Sequence, residues 1–259
     1  MVKGLETFRK AMQPYKEHFV IIGGTACDIQ LTGSAMTPRA TDDIDIIVVI
    51  EKLTEDFVRA IWQFVKDGNY KAEKRLSQQG QSVYALYRFT LQDEQWDYPK
   101  KIELLSRHSD LLGEPSGFRI EPIPTDEDSH SLSAIIMDDD YYDFTIHHTD
   151  EIEGLLVANN KALIVLKANA YLNLLKEREA GRQVNSKDIR KHRSDVLKLV
   201  AAGSYPDPQT VNAKIYASIR LFLVEVNQHR QSLADALDTP IEAIDAYLDV
   251  LRNEIFVEE

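Results

Sequence analysis

Two carboxylates placed two residues apart follow a glycine pair in this sequence, and that combination can hold a metal and a phosphate chain together. Asp43 and Asp45 stand in Arg39-Ala40-Thr41-Asp42-Asp43-Ile44-Asp45-Ile46, downstream of Gly23-Gly24-Thr25-Ala26. On a strand, alternate residues share a face, so both carboxylates point one way while Ile44 and Ile46 enter the core. Two like charges that close repel. A divalent cation between them turns the pair favourable, and hard oxygen ligands suit Mg²⁺, which also bridges to substrate phosphates. A glycine turn leading into a helix N-terminus supplies backbone N–H groups and a close approach for those phosphates.

A third carboxylate would complete a two-metal arrangement, in which one ion activates the attacking oxygen and the other stabilises the leaving one. Glu103 is the best placed. In Lys101-Ile102-Glu103-Leu104-Leu105 the acid alternates with apolar neighbours, which puts it on one face of a strand able to lie beside the Asp43 strand. Asp97 and Asp93 are rivals within the loop-like stretch 91–99. Asp42 is out of phase with its neighbours and reads as a solvated or capping carboxylate. Taken singly, a Gly-Gly is ordinarily a turn and an Asp-x-Asp an ordinary strand end; their succession carries the chemistry.

Two further groups lie in the C-terminal half. Lys167 is the sole charge in Ala162-Leu163-Ile164-Val165-Leu166-Lys167-Ala168, which fits either a phosphate-reaching lysine or one snorkelling from a core helix. Asp188, His192, Asp195 and Leu199 follow one another by four, three and four residues, so they form one helical stripe beside Ile189 and Val196. An acid–His–acid line can orient a hydroxyl or act as a base, because His titrates near neutral pH; it is equally an ordinary set of surface ion pairs.

On these residues the sequence resembles the nucleotidyltransferase superfamily, and more narrowly the AbiEii/AbiGii-type nucleotidyltransferase toxins of bacterial toxin–antitoxin and phage-defence systems. The family's first motif looks like a hydrophobic strand, Gly-Gly-Thr-Ala, then Arg-x-Thr-x-Asp-Ile-Asp, and Gly23 to Ala26 with Arg39 to Asp45 match it. The resemblance implies that Gly23, Gly24, Thr25, Arg39 and Thr41 bind the nucleotide. It implies that Asp43 and Asp45 hold Mg²⁺, with Mn²⁺ as a substitute, and that Glu103 stands where an Asp is more usual, keeping the charge on a longer side chain. Lys167 looks like the family's helical lysine, which reaches the nucleotide phosphates. Asp195 looks like the final catalytic acid, with Asp188 as its rival and His192 beside it. The likeness covers most of residues 15 to 200.

The same resemblance implies an α+β protein: a nucleotidyltransferase-like mixed β-sheet core with helices over residues 1–150, then an α-helical C-terminal lobe over 151–259, the nucleotide between them. The implied activity is Mg²⁺-dependent transfer of an NMP from an NTP (ATP, GTP or CTP) to RNA, tRNA or protein, as the toxin of a toxin–antitoxin or phage-defence system with a cognate antitoxin. A small-molecule acceptor, as in antibiotic-modifying enzymes, is the alternative, and a nucleotide-binding module without turnover is another.

The elements that must position these groups are legible in outline. Residues 18–22 read as a buried strand running into the glycine turn, and the β-branched run 44–50 as a core strand. Thr54 starts an amphipathic helix carrying Phe57, Ile61, Phe64 and Val65 that ends at Gly68. Residues 83–89 and 101–105 are further strands. Residues 133–137 and 142–146, on either side of Asp138-Asp139-Asp140, read as a hairpin. From about Glu151 the period lengthens and helices are expected over 158–177, 186–201 with Ser186 as its cap, 210–228, and onward from Thr239-Pro240.

The chain of 259 residues carries 30 Lys and Arg against 42 Asp and Glu, a net charge of −12, which argues against a protein that coats nucleic acid nonspecifically. Residues 161–198 form a basic island of ten Lys or Arg against four acids, where something anionic can dock. Residues 120–160 hold no Lys or Arg at all, and their acids, Asp126, Glu127 and Asp128 among them, read as solvated loops. No run approaches the eighteen or so apolar residues of a membrane span. The N-terminus lacks an apolar signal segment and Cys27 is the single cysteine, so a cytoplasmic location is expected.

Overall fold

The computed structural model describes residues 2–39, 41–79, 82–93, 97–107, 112–113, 120–122 and 138–259. The fold is α+β, with its strands in one mixed sheet and a small two-stranded ribbon. Contacts divide the chain into two units, one of Met1–Ile29, Pro38–Asp128 and Thr149–Ala158, the other of Gln30–Thr37, Ser129–His148 and Asn159–Glu259. The units therefore exchange segments around residue 150, where the sequence suggests a single division.

In the first unit, strands β1 (Phe19–Ile22), β2 (Asp43–Val48), β3 (Tyr70–Gln79), β4 (Ser82–Leu91), β5 (Lys101–Ser106), β6 (Ile120–Pro122), β7 (Thr149–Ile152) and β8 (Leu155–Ala158) form one sheet in the order β6-β3-β4-β5-β2-β1-β8-β7. Strand β2 runs antiparallel to β1 and parallel to β5, which in turn runs antiparallel to β4. One face is apolar: Phe19, Ile21, Ile44, Ile46, Tyr87, Phe89, Ile102 and Leu104 alternate onto it and are buried. Helices α1 (Leu5–Met12) and α3 (Glu55–Asp67) supply its cover. Phe8 meets Phe19 and Phe64 edge-on at ring separations of 5.7 and 5.5 Å, and Trp62 meets Phe89 at 5.7 Å. Thr54 caps α3 by accepting from the backbone N–H of Phe57. With one face packed, the alternate residues of β2, β4 and β5 are left to carry charge.

The second unit is built of α4 (Asp139–His147), α5 (Asn160–Glu179), α6 (Ser186–Ala202), α7 (Ala213–Asn227), α8 (Arg230–Leu237) and α9 (Ile241–Asn253), with β9 (Gln209–Val211) parallel to β10 (Phe256–Glu258). Helix α5 is buried on every side from Ala162 to Leu166 and again at Ala168, Ala170 and Tyr171, the pattern of a central helix rather than a surface one. Tyr171 packs edge-on against Phe222 of α7 at 5.4 Å, and the Tyr141 hydroxyl of α4 bonds Ser218 of α7 at 2.7 Å.

Several expected elements differ. Residues 142–146 belong to α4, not to a hairpin strand, because Asp138 caps the helix at the backbone N–H of Asp140 and the acids next in sequence lie in its first turn, where the helix dipole favours them. The companion strand expected at 133–137, and Asp126 to Asp128, lie outside the described residues. Residues 149–158 form the hairpin β7–β8, so the helical part begins later than the change of period read at about Glu151: Glu153 and Gly154 both take positive φ, 51° and 79°, the requirement of a tight two-residue hairpin turn. Asn185, not Ser186, caps α6. The segment expected as helix from Thr210 opens as β9, and Asn212 then caps α7. Among the described residues no helix is long and apolar enough to cross a membrane.

Candidate active site

The expected phosphate turn sits where strand β1 becomes helix α2 (Gly23–Leu31). Gly23 has φ of +71°, a left-handed conformation that L side chains adopt at a cost, and a Cβ there would fall 1.9 Å from Asp45 Oδ2. Antiparallel pairing explains the closeness, since Ile22 is the register partner of Asp45. At Gly24 a Cβ would lie 3.0 Å from Thr41 Oγ1 and 3.3 Å from an Arg39 guanidinium nitrogen. The turn is thus ringed by Asp45, Thr41 and Arg39, three residues the sequence motif joins to it.

The side chain of Thr25 ties two elements together. It is fully buried, and its hydroxyl donates to the Asp43 carbonyl at 2.5 Å, tying the first turn of α2 to the start of β2. That bond fixes the glycine turn relative to the carboxylates. The first turn of α2 leaves backbone N–H groups able to receive an anion.

Asp43 and Asp45 share a face of β2, both partly exposed, while Ile44 and Ile46 between and after them are buried. Glu103 on β5 is the register partner of Asp45, and Lys101 that of Asp43; across β5, Arg88 on β4 is the partner of Glu103. One row across the sheet therefore reads Asp45, Glu103, Arg88, and the next reads Asp43, Lys101. Glu103 Oε1 accepts from Arg88 Nε at 2.9 Å and lies 3.5 Å from Lys101 Nζ, which itself contacts Asp43 Oδ2 at 2.9 Å. Burial alone would lower the pKa of Lys101, but Glu103 and then Asp43 hold it above its ordinary value. Neither Lys101 nor Arg88 was singled out from sequence. Lys101 was readable, being two residues from Glu103 on the same strand face; Arg88 needed the β4–β5 register, which no local pattern gives.

As ligands for a divalent ion, Asp43 and Asp45 fit: they are hard donors on one face, beside a backbone turn able to present a substrate's phosphates. Glu103 fits less directly, because one of its oxygens already serves two cations. Among the described residues no three His, Cys, Asp or Glu side chains are gathered closely enough to hold a metal by themselves. An ion here would complete its shell with substrate and water oxygens, as Mg²⁺ commonly does. Of the rivals, Asp93 accepts from Asn69 at 3.0 Å and Asp97 is exposed; Asp42 is exposed as expected.

In the second unit Lys167 and Asp195, 28 residues apart, come together. Lys167 is 1% exposed and its Nζ lies 3.0 Å from Asp195 Oδ2, a buried ion pair joining α5 to α6. His192, one turn before Asp195, is also buried. Asp188, at the other end of the stripe, is partly exposed, with Lys191 at 4.0 Å. The stripe is therefore buried at its C-terminal end and solvated at its start, and of its two acids Asp195 is the one paired with the lysine.

Comparisons with family models, with curated proteins and with solved structures return no match.

Proposed function

We propose that the protein is a divalent-metal-dependent nucleotidyltransferase, and one observation carries the proposal: the Asp45 carboxylate lies directly against the Gly23 turn that opens a helix, with Asp43 on the same strand face. An acidic pair beside a phosphate-accepting turn is the arrangement that nucleoside triphosphate chemistry asks for. In this reading Asp43 and Asp45 hold the divalent ion, with Glu103 as the third carboxylate. The bound ion would neutralise charge on the triphosphate and align an acceptor hydroxyl.

The chain's own residues do the rest by position and charge. Backbone N–H groups at the start of α2 receive phosphate oxygens, Arg39 and Thr41 flank the same turn, and Lys101 and Arg88 keep Glu103 from repelling an incoming anion. The acceptor hydroxyl gives its proton to water, its oxygen forms a bond to the α-phosphorus, the bond from that phosphorus to the bridging oxygen breaks, and pyrophosphate leaves. Lys167 and Asp195 join this chemistry through the resemblance, which gives the lysine to the phosphates and the acid to the final motif. The AbiEii/AbiGii likeness favours RNA, above all tRNA, or a protein side chain as acceptor, in a cytoplasmic toxin paired with an antitoxin, and gives a small-molecule acceptor second place.

The test is to incubate the protein with Mg²⁺, each α-labelled NTP in turn and total cellular RNA, then to locate the label in RNA, protein or small molecules. Label that disappears in Asp45→Asn supports the proposal and identifies donor and acceptor; equal label in Asp45→Asn sinks it. The lodging of Lys101 between Asp43 and Glu103 favours a second reading, a nucleotide-binding module whose carboxylates are balanced by an internal cation. That reading predicts NTP binding without pyrophosphate release.

A further inference from the structure

The basic island of residues 161–198 folds into a pocket in the second unit. Tyr171, Leu175 and Arg178 recur every three or four residues on α5, and Ser186, Ile189, Arg190 and Arg193 do so on α6, so one face of each helix is turned to a common groove. With His229, just past the end of α7, they line a cavity of about 220 Å³. Leu175 and Ile189 are its apolar wall. The polar lining is three guanidinium groups, a serine hydroxyl, a tyrosine hydroxyl and an imidazole.

Two buried polar atoms of its lining lack acceptors. Tyr171 is fully buried and Arg193 is 7% exposed; Arg193 acts on the Tyr171 oxygen, but neither the Tyr171 O–H nor the Arg193 Nε–H reaches an acceptor. Arg193 is held in place through its other end, one terminal nitrogen donating to Ser232 Oγ at 2.6 Å. A buried donor left unmade costs free energy, so a pair of them beside a cavity points to a ligand that accepts from both. Burial, the larger influence, raises the pKa of the Tyr171 hydroxyl above its ordinary value although Arg193 opposes it; the hydroxyl is therefore a donor at neutral pH. The Glu225 carboxylate acts on both Tyr171 and His229.

From this arrangement we propose that the α5–α6 groove is a binding site for a compact phosphate group, distinct from the carboxylate site on β2. Planar guanidinium groups suit phosphate oxygens, and Arg193 with Tyr171 would receive it at the floor while Arg178 and Arg190 close over it from the rim. The cavity falls below the roughly 300–1,000 Å³ typical of sites for drug-sized ligands, so it takes a phosphate and little more, not a whole nucleotide. The phosphate is either the free ion or the monoester end of a larger molecule. The site does not depend on the transferase reading, since none of its residues belongs to the glycine turn or the carboxylate pair.

The test is an NMR titration of the full chain, divalent ions removed by a chelator and ionic strength held with chloride, using inorganic phosphate in one arm and ribose 5-phosphate in the other. Saturable shifts at Tyr171, Arg193 and His229 are expected, tighter for whichever ligand is the true source. R178Q/R190Q, whose substituted side chains sit on the exposed rim, should keep its melting temperature and lose roughly tenfold or more in affinity. Tyr171→Phe should weaken phosphate binding while leaving the melting temperature of the ligand-free protein near the parent's, because a hydroxyl donor without an acceptor is gone and the ring stays against Phe222. Shifts confined to the Gly23 and Gly24 amides, or unchanged affinity in R178Q/R190Q, would overturn the proposal.

Discussion

The carboxylate of Asp45 rests on the backbone of Gly23, so closely that a Cβ on the glycine would stand 1.9 Å from Oδ2. Glycine is required there twice over, for space and for a φ of +71°. Gly23→Ala should therefore lower the melting temperature, by strain on the order of 1–2 kcal/mol from the left-handed backbone alone and more from the displaced carboxylate. Combining it with Asp45→Ala removes the collision but not the strain. The double variant should sit between Gly23→Ala and the parent in a thermal melt, and a Gly23→Ala protein as stable as the parent would contradict the geometry.

The same contact separates the roles of the two carboxylates. Asp45→Asn keeps the shape and removes the charge; nucleotidyl transfer should fall by at least roughly a hundredfold while the melting temperature holds or rises, since like-charge repulsion with Asp43 is relieved. Asp43→Asn should be as damaging to transfer but slightly destabilising, because Lys101 loses its 2.9 Å partner. A radiolabel assay and a melt on each variant read both quantities. Full transfer by either variant would remove that carboxylate from the chemistry.

What the sequence made legible was what alternation and short motifs encode. The Asp43, Ile44, Asp45, Ile46 alternation fixed a strand face, Thr54 a helix start, and the Gly23-Gly24 pair a strand-to-helix turn, because each depends on residues within one or two turns of chain. Partners distant in sequence were not legible: Arg88 and Glu103 meet only through the β4–β5 register, and Lys167 finds Asp195 on the next helix, 28 residues away. The acidic triplet misled in the other direction. Asp138 can end a strand or cap a helix, and the residues that decide between those outcomes include ones packed against α4 from α7, such as Ser218 on Tyr141.

Burial of Lys167 and Asp195 makes their pairing a matter of stability as well as of function. Removing one partner strands a charge, at about 3–5 kcal/mol, whereas replacing both with apolar groups of similar size is often neutral. Lys167→Met and Asp195→Leu should each unfold at markedly lower temperature, and the double variant should recover most of the loss. If the pair also serves transfer, as the resemblance holds, the recovered double variant stays inactive. A stable and fully active double variant would assign the pair to the core alone, and two single variants with parental stability would show that the pair is not buried in solution.

Lys101 gives a pH dependence whose sign is set by its neighbours. Burial pulls its pKa down, but Glu103 first and Asp43 next bring it above the ordinary value of 10.5, so the folded protein binds this proton more tightly than the unfolded chain does. The resulting stabilisation is complete below the unfolded value near 10.5 and is lost as pH climbs through the higher folded value. The stability difference between the parent and Lys101→Met should accordingly be constant from pH 8 to about 10 and shrink above it, where other lysines cancel in the comparison. Denaturant melts of the two proteins across that range supply the measurement. A difference that grows with rising pH would mean burial outweighs the carboxylates, and Lys101 would then be a cation held at a loss beside Asp43 rather than one drawn there.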